Sequence, residues 1–424
     1  MRLRLQNLGR IARADIELRP LTMFVGKNGL NKTWAAYAAF GGLQAMSFDK
    51  LAHQRHHSRS DALVRMGQEI ADELQRLPGG GETTRVIRCI DIPCEGGRRD
   101  DAGGFVQAMV GELPAEAWVE SDPRVVFESV RLHCTRIGRA FSIHAEFIGP
   151  NVRRSIVYPP DEGGLAHLLA AVLDAAVASV HRVVLLPTER SWVAQLGHAS
   201  HLDLSIPPHI RLCAPWISEA RERKRQQRRP GASDPVVADF VGQLTGGSYH
   251  VDESGVRHAS GDVDLALHAA ASLTRTLAPL VLYLETLATP GDVLVIDEPE
   301  LNAHPEAQLA ILELLAILAN RGYHVIFTTH SPYLQDHLDN LMEASTLPSD
   351  VPVPQSLALG RRDAFLDPSR VAAYEFVEVG ETVEVLPVLD RLERATTTRT
   401  FSEVSERLGD VMNQVLDLEE VAGG

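Results

Sequence analysis

Cysteine is scarce in this chain of 424 residues: Cys89, Cys94, Cys134 and Cys213 are all it has. That is too few for a disulfide scaffold. Cys89 and Cys94 lie close in sequence, but no second pair completes a zinc site. Membrane-length apolar runs are absent too. The longest Ala/Leu stretch, Leu165–Val180, is interrupted by Asp174 and is too short to span a bilayer. The N-terminus, MRLRLQNLGR, alternates like a strand and does not read as a signal peptide. There is no internal repeat and no long low-complexity segment. Positive charge is in deficit, with 41 Lys and Arg against 56 Asp and Glu, a formal charge of −15. This argues against a surface coated for nucleic acid, while leaving room for a local basic patch. The expectation is a reduced, cytoplasmic protein of two to three structural units, at roughly 150 residues each.

What is present is ordered punctuation. Residues 1–25 alternate in short strands separated by Asn7, Gly9 and Pro20. A glycine-bearing loop, Gly26–Asn31, follows, and then an Ala-rich helix from Lys32 to about Met46. From Arg124 to Tyr158 the pattern is an antiparallel meander, followed by a helix over about Gly164–Val180. A buried strand, Arg182–Leu186, ends in Pro187-Thr-Glu-Arg190. The last third alternates helix and strand: helix Ser272–Leu287, strand Asp292–Ile296, helix Pro305–Asn320, strand Tyr323–Thr329, and a helix after Pro332. That alternation predicts a parallel sheet with crossover helices.

The loop Gly26-Lys-Asn-Gly-Leu-Asn-Lys32-Thr33 matches the phosphate-loop pattern GxxxxGK[ST] except that Asn31 stands for the second glycine. The glycine is wanted for a left-handed backbone, and Asn is the next most tolerant residue there. Backbone N–H groups from Asn28 through Gly29 to Thr33, at a helix N-terminus, can face phosphates. Lys32 would reach the β- and γ-phosphates, and the Thr33 hydroxyl would bind Mg²⁺.

Leu294-Val-Ile-Asp297-Glu298-Pro-Glu300 is an apolar strand ending in adjacent acids, which need a metal or a partner when buried. Asp297 is the candidate for holding Mg²⁺, and Glu298 the candidate for polarising an attacking water. His330 follows another apolar strand and is placed to sense a γ-phosphate. Ligands bind at such strand ends in open α/β sheets. The three ends, at Gly26, Asp297 and His330, would meet on one sheet edge.

Together these residues resemble the ABC-type ATPase heads of the RecF, SMC and OLD group, and above all the stand-alone AAA-type ATPases of bacterial antiphage operons. The likeness runs through NLGRIARADIELRPLTMFVGKNGLNKT, LLPTERS and a stretch from about Val236 to His337. It implies an α/β P-loop NTPase of ABC-ATPase head type, a mixed parallel sheet with an antiparallel β lobe and a helical lobe. It implies ATP and Mg²⁺ as ligands and ATP hydrolysis as the activity. In its terms Asp297 to Pro305 is Walker B plus D-loop, which brings Asn302 to the nucleotide, and His330 is the H-loop histidine. Ser272 would contact the γ-phosphate across a dimer, with Leu273 where a glycine is usual; its other reading is a helix N-cap. Glu189 is the candidate third residue of the metal site, beside Thr33 and Asp297, and would couple that site to the lobe. The expectation is a stand-alone head without the spaced-acid nuclease domain of OLD proteins after His330.

The expected division is a head core of residues 1–48, 181–204 and 246–398, an inserted lobe over 49–180, a helical arm over 205–245, and a C-terminal amphipathic helix over 399–424. That helix would start at the capping box Thr400-Phe-Ser-Glu403. Expected partners are a second copy or a higher homo-oligomer and a separately encoded nuclease or toxin, with no membrane. DNA is a further candidate, through the basic helix Arg221–Arg229. The resemblance also admits a DNA-repair or chromosome ATPase, or a slow scaffold that holds a toxin or nuclease inactive. The charge is unevenly spread: residues 1–60 hold ten basic and three acidic residues, and residues 371–424 hold four basic and twelve acidic.

Overall fold

The computed structural model describes residues 1–45, 182–193, 208–226 and 234–402, and between 82 and 161 the backbones of six strands. The expected helix at 164–180, the pair Arg228–Arg229, and the C-terminal stripe beyond residue 402 lie outside the described residues.

A ten-stranded mixed sheet organises the chain. Strands β1 (Arg2–Leu8) and β2 (Ile11–Glu17) form an antiparallel hairpin. Its turn is at Gly9; Asn7 lies inside β1 with a φ of 53° rather than forming a turn of its own. Strand β3 (Leu21–Gly26) is buried along its whole length and runs into the phosphate loop and helix α1 (Lys32–Ala45). The middle segment supplies β4 (Glu82–Pro93), β5 (Arg99–Asp101), β6 (Glu116–Glu120), β7 (Arg124–Ile137), β8 (Ala140–Ile148) and β9 (Arg153–Asp161). Strands β7, β8 and β9 form the antiparallel meander that the alternation predicted, and β4 joins them in a separate four-stranded sheet. β6 pairs with β1, Leu5 opposite Ala117, and β5 pairs with β6. Part of the inserted segment therefore extends the main sheet instead of standing apart from it. The reason is that β1 would otherwise leave an open edge of backbone donors and acceptors.

Strand β10 (Val183–Leu186) follows, then the one-turn helix α2 (Arg190–Val193) and the helices α3 (Pro208–Gln226) and α4 (Pro235–Thr245). A three-stranded meander, β11 (Ser248–Asp252), β12 (Gly255–Ser260) and β13 (Val263–Ala266), leads into α5 (Ser272–Thr286). Then come β14 (Val293–Asp297), α6 (Pro305–Asn320), β15 (His324–Thr329), α7 (Pro332–Ala344), β16 (Val371–Val379) and β17 (Thr382–Pro387). Both α6 and α7 begin with Pro after a side-chain N-cap, His304 and Ser331.

In the main sheet β10, β14, β15, β3 and β16 are consecutive and parallel. The register sets Asp297 beside Thr328, Thr328 beside Phe24, and Gly26 beside Phe376. Strands β14, β15 and β3 read as unbroken apolar runs because helices cover the sheet. The core cluster joins α1 and α5–α7 to these strands through residues such as Phe24, Phe40, Tyr283, Leu315 and Phe327. The observed fold is thus the expected α/β class, with its mixed sheet, antiparallel lobe and helices. No described helix is long and apolar enough to cross a membrane.

The C-terminal helix begins one residue before Thr400, so Thr400 is not its N-cap, and Glu403 of the expected capping box lies outside the described residues. The helix starts at residue 399, and its first donors, the N–H groups of Arg399 and Thr400, go to the buried Glu375 carboxylate of β16 at 2.9 and 2.7 Å. A tertiary carboxylate took the place that a local Thr side chain was expected to fill.

Candidate functional site

The phosphate loop takes its shape from three positive-φ residues. Gly26 has φ 144°, Gly29 φ 78° and Asn31 φ 63°. A Cβ on Gly26 would sit 2.6 Å from the Phe376 carbonyl oxygen, so glycine is required there. Asn31 occupies the left-handed conformation that the glycine pattern demands. Its side chain has a further use: Oδ1 accepts the N–H of Arg10 at 3.1 Å, tying the loop to the β1–β2 turn. Gly9 makes room for it, since a Cβ there would lie 2.7 Å from Asn31 Nδ2 and from Trp34. Asn28 and Gly29 are exposed at the loop's rim.

Lys32 is 4% exposed, and its ammonium donates to the Lys27 carbonyl at 2.9 Å. Burial lowers its pKa from 10.5 to about 8, against the pull of Glu298, Asp297 and Glu300. The Thr33 hydroxyl donates to Asp297 Oδ1 at 3.0 Å, and Thr328 donates to the same oxygen. Burial raises the Asp297 pKa, while these two hydroxyls oppose the shift. Two hard oxygen donors, Thr33 Oγ1 and Asp297 Oδ1, thus stand at one point beside the loop. That donor set fits Mg²⁺, a hard cation that takes oxygen ligands. In the metal-bound state the Thr33 hydroxyl would turn its proton away from Asp297.

Glu298 has a left-handed backbone, φ 48°, and its N–H donates to Thr328 Oγ1 at 3.0 Å. Its carboxylate lies 3.2 Å from His330 Nε2, and that bond is the main cause of its lowered pKa. Glu300 faces the other way. It accepts the Thr329 hydroxyl at 2.6 Å and the His330 N–H at 3.0 Å, and so fixes the backbone from which the histidine projects.

The structure therefore brings Lys32, Thr33, Asp297, Glu298 and His330 together at the C-terminal ends of three adjacent parallel strands. Other predicted residues sit elsewhere. Ser272 is the exposed first residue of α5; Ala271 holds the N-cap position, so Ser272 does not cap that helix. Asn302, at φ 65°, donates to Thr276 Oγ1 at 3.0 Å, and Thr276 in turn donates to the Ser272 carbonyl. The loop after the acids is thereby tied to the first turn of α5. Glu189 turns to Thr188, at 3.0 Å, and to His209 Nε2, at 3.4 Å. The His209 bond holds its carboxyl down at about 2. No described hydrogen bond joins Glu189 to Thr33 or Asp297.

Sequence reasoning missed three residues here. Thr328 and Glu300 were legible only as polar residues at strand ends. Arg190 lay inside LLPTERS, but nothing local distinguishes it from a solvated loop arginine.

Among the described residues of the basic helix, three cationic side chains are paired within the chain. On α3, Arg223 meets Glu219 at 2.6 Å, Arg225 meets Glu222 at 2.6 Å, and Lys224 meets Glu285 of α5 at 2.8 Å.

Residues 214–336 match a family described as "AAA domain, putative AbiEii toxin, Type IV TA system". The match covers less than a third of the chain. It includes Ser272, Asp297, Glu298 and His330 and leaves the phosphate loop outside. No curated protein matches the chain. Among solved structures, similarity is found to an SMC head bound to the C-winged-helix domain of ScpA, at 12% identity over 91% of this chain and 96% of that one, TM-score 0.38. The SMC head domain from Thermotoga maritima is similar at 12% identity over 92% and 98%, TM-score 0.34. An SMC head with an extended coiled coil, bound to the C-terminal domain of ScpA derived from Pyrococcus furiosus, is similar at 12% identity over 97% and 98%, TM-score 0.36. Such scores mark distant likeness. The P-loop α/β assignment rests on this chain's own strand order and on the loop between β3 and α1.

Proposed function

We propose that this protein binds and hydrolyses Mg²⁺–ATP, closing as a homodimer or higher homo-oligomer around the nucleotide. In this reading it is a cytoplasmic sensor and regulator for a separately encoded effector, a nuclease or toxin, in bacterial antiphage defence. The observation that carries the ATPase reading is the convergence of Lys32, Thr33, Asp297, Glu298 and His330 on one sheet edge. The toxin–antitoxin wording of the matched family supports an effector setting, as does the resemblance seen in the sequence.

In this reading the N–H groups of Asn28 to Thr33 cradle the phosphates and Lys32 neutralises the β- and γ-oxygens. Bound Mg²⁺, held by Thr33 and Asp297, would supply charge stabilisation at the phosphates. Glu298 orients water for in-line attack on the γ-phosphorus; the bond to the β-bridging oxygen breaks, leaving ADP and inorganic phosphate. His330 holds Glu298 in place and faces the γ-phosphate. Ser272 and Asn302 serve the nucleotide of the opposing copy. Glu189, bonded to His209 of α3, relays site geometry to the helical arm, the segment proposed over 205–245.

Glu298→Gln tests the central role. It should bind ATP with wild-type affinity, hydrolyse it 10²–10⁴-fold more slowly, as loss of a general base implies, and accumulate as an ATP-bound dimer by light scattering. Normal turnover by this variant would remove Glu298 from the chemistry.

The alternative of a DNA-acting ATPase draws on the basic helix. The ion pairs of Arg223, Lys224 and Arg225 leave less of that charge free for phosphates, which favours the effector reading.

A further inference from the structure

Arg190 is 2% exposed, yet its described hydrogen bonds all end on neutral carbonyl oxygens. One terminal nitrogen donates to Pro187 O at 3.3 Å and to Asp297 O at 2.7 Å. The other donates to Glu298 O at 2.7 Å and Pro299 O at 3.2 Å. Buried guanidinium groups ordinarily need an acid partner to offset desolvation. Here a fixed fork is filled by the carbonyls of three consecutive residues, which only a tight turn can aim at one point.

That turn carries the chemistry of the proposed site. Asp297 precedes it, Glu298 opens it and Pro299 follows, with the Leu301 N–H returning to the Glu298 carbonyl at 3.0 Å. Glu298 has φ 48°, a backbone that is strained for a non-glycine residue and persists only when its surroundings hold it. The Glu298 N–H is held by Thr328 and its carbonyl by Arg190, so its backbone is gripped from both sides. None of the described hydrogen bonds of Arg190 reaches the phosphate loop. Its site of action is the water-positioning half, reached from β10, whose Leu186 pairs in register with Ile296.

We propose that Arg190 is a positioning residue for hydrolysis: its buried guanidinium, bonded to the carbonyls of Asp297, Glu298 and Pro299, fixes the left-handed turn that aims the Glu298 carboxylate. The inference rests on the ATPase reading. Its consequence is a split between binding and turnover. The phosphate loop keeps its contacts when Arg190 changes, while Glu298 loses its aim.

The experiment compares wild type, Arg190→Lys, Glu298→Gln and the double variant, with Arg190→Met as a stronger companion. An ammonium has three donors on one atom and cannot reproduce a planar fork. Arg190→Lys should therefore lower kcat at least tenfold, with the Kd for a fluorescent ATP analogue within threefold of wild type and the thermal melt cooperative. Because Arg190 acts through Glu298, Arg190→Lys should lower the residual rate of Glu298→Gln less than twofold, whereas independent effects would multiply. Wild-type kcat in Arg190→Lys, or a full multiplicative loss in the double variant, overturns the positioning role while leaving the ATPase reading intact. Failure of both Arg190 variants to fold overturns it too, by making Arg190 a strut of the fold. A wild-type protein that hydrolyses no ATP overturns the ATPase reading itself, and this inference with it.

Discussion

Lys32 pays for its place in the loop with a depressed pKa, and that makes nucleotide binding pH-dependent in an unusual window. Its ammonium is buried and its one described hydrogen bond goes to the Lys27 carbonyl, so burial outweighs three nearby acids and brings the pKa from 10.5 to about 8. The sign follows from proton counting. Between pH 8 and 10.5 the unfolded chain keeps the proton that folded Lys32 has lost. The group therefore costs the folded state about 3 kcal/mol below pH 8, and this penalty is relieved as pH rises through 10.5. A bound phosphate needs the charged form. ATP affinity should hold steady up to about pH 7.5 and then weaken, approaching tenfold per pH unit above 8 and roughly 25-fold in all by pH 9.5. Terminal phosphates titrate near 6, outside this window. Titration with a fluorescent ATP analogue from pH 7 to 9.5 measures the fall. Calorimetry in two buffers of different ionisation enthalpy should register proton uptake of about half a proton per ATP near pH 8. Lys32→Arg is the control, since arginine stays charged throughout and should show no such slope whatever its absolute affinity. A flat wild-type curve to pH 9.5, or an equal slope in Lys32→Arg, would refute the reasoning.

Three further outcomes can be checked. Asn31→Ala should destabilise the apo protein by about 1–2 kcal/mol, losing the bond from Arg10 and placing alanine in the left-handed region; Asn31→Gly loses the bond but gains conformational ease and should stay within about 1 kcal/mol of wild type. Equal melting temperatures for the two variants would contradict this account of Asn31. Tyr283→Phe should cost about 2 kcal/mol by urea denaturation, because the Tyr283 hydroxyl bonds the fully buried Asp292 at 2.5 Å; an unchanged midpoint would mean water replaces the hydroxyl. Asp297→Asn should keep Mg²⁺-free ATP binding within about threefold while Mg²⁺ ceases to tighten it, losing on the order of 1–2 kcal/mol of charge-assisted coupling; Mg²⁺ enhancement equal to wild type would place the metal elsewhere.

The sequence by itself settled whatever depends on local periodicity and conformational demand. The helix Pro305–Asn320 falls where Pro at its start and Gly322 past its end placed it. Asn31 is left-handed because the loop pattern requires that backbone at its position, whichever residue fills it. Unbroken apolar strands ending in Gly26, Asp297 and Thr329 had to be buried, parallel and neighbouring, so their ends share an edge. Tertiary structure decided what long-range partners control. β5 and β6 join β1 because an open edge was available, a fact no local pattern encodes. Glu375, not Thr400, caps the last described helix, across 25 residues of chain. Arg190 reads locally as a loop arginine. It becomes the clamp on the acid-bearing turn only because β10 pairs with β14, 110 residues away in sequence, and sets its guanidinium against three backwards-facing carbonyls. The residues that would meet phosphate and metal carry their chemistry in side-chain type and spacing, so they could be read. The residues that hold them carry theirs in geometry, which exists only once the sheet has formed.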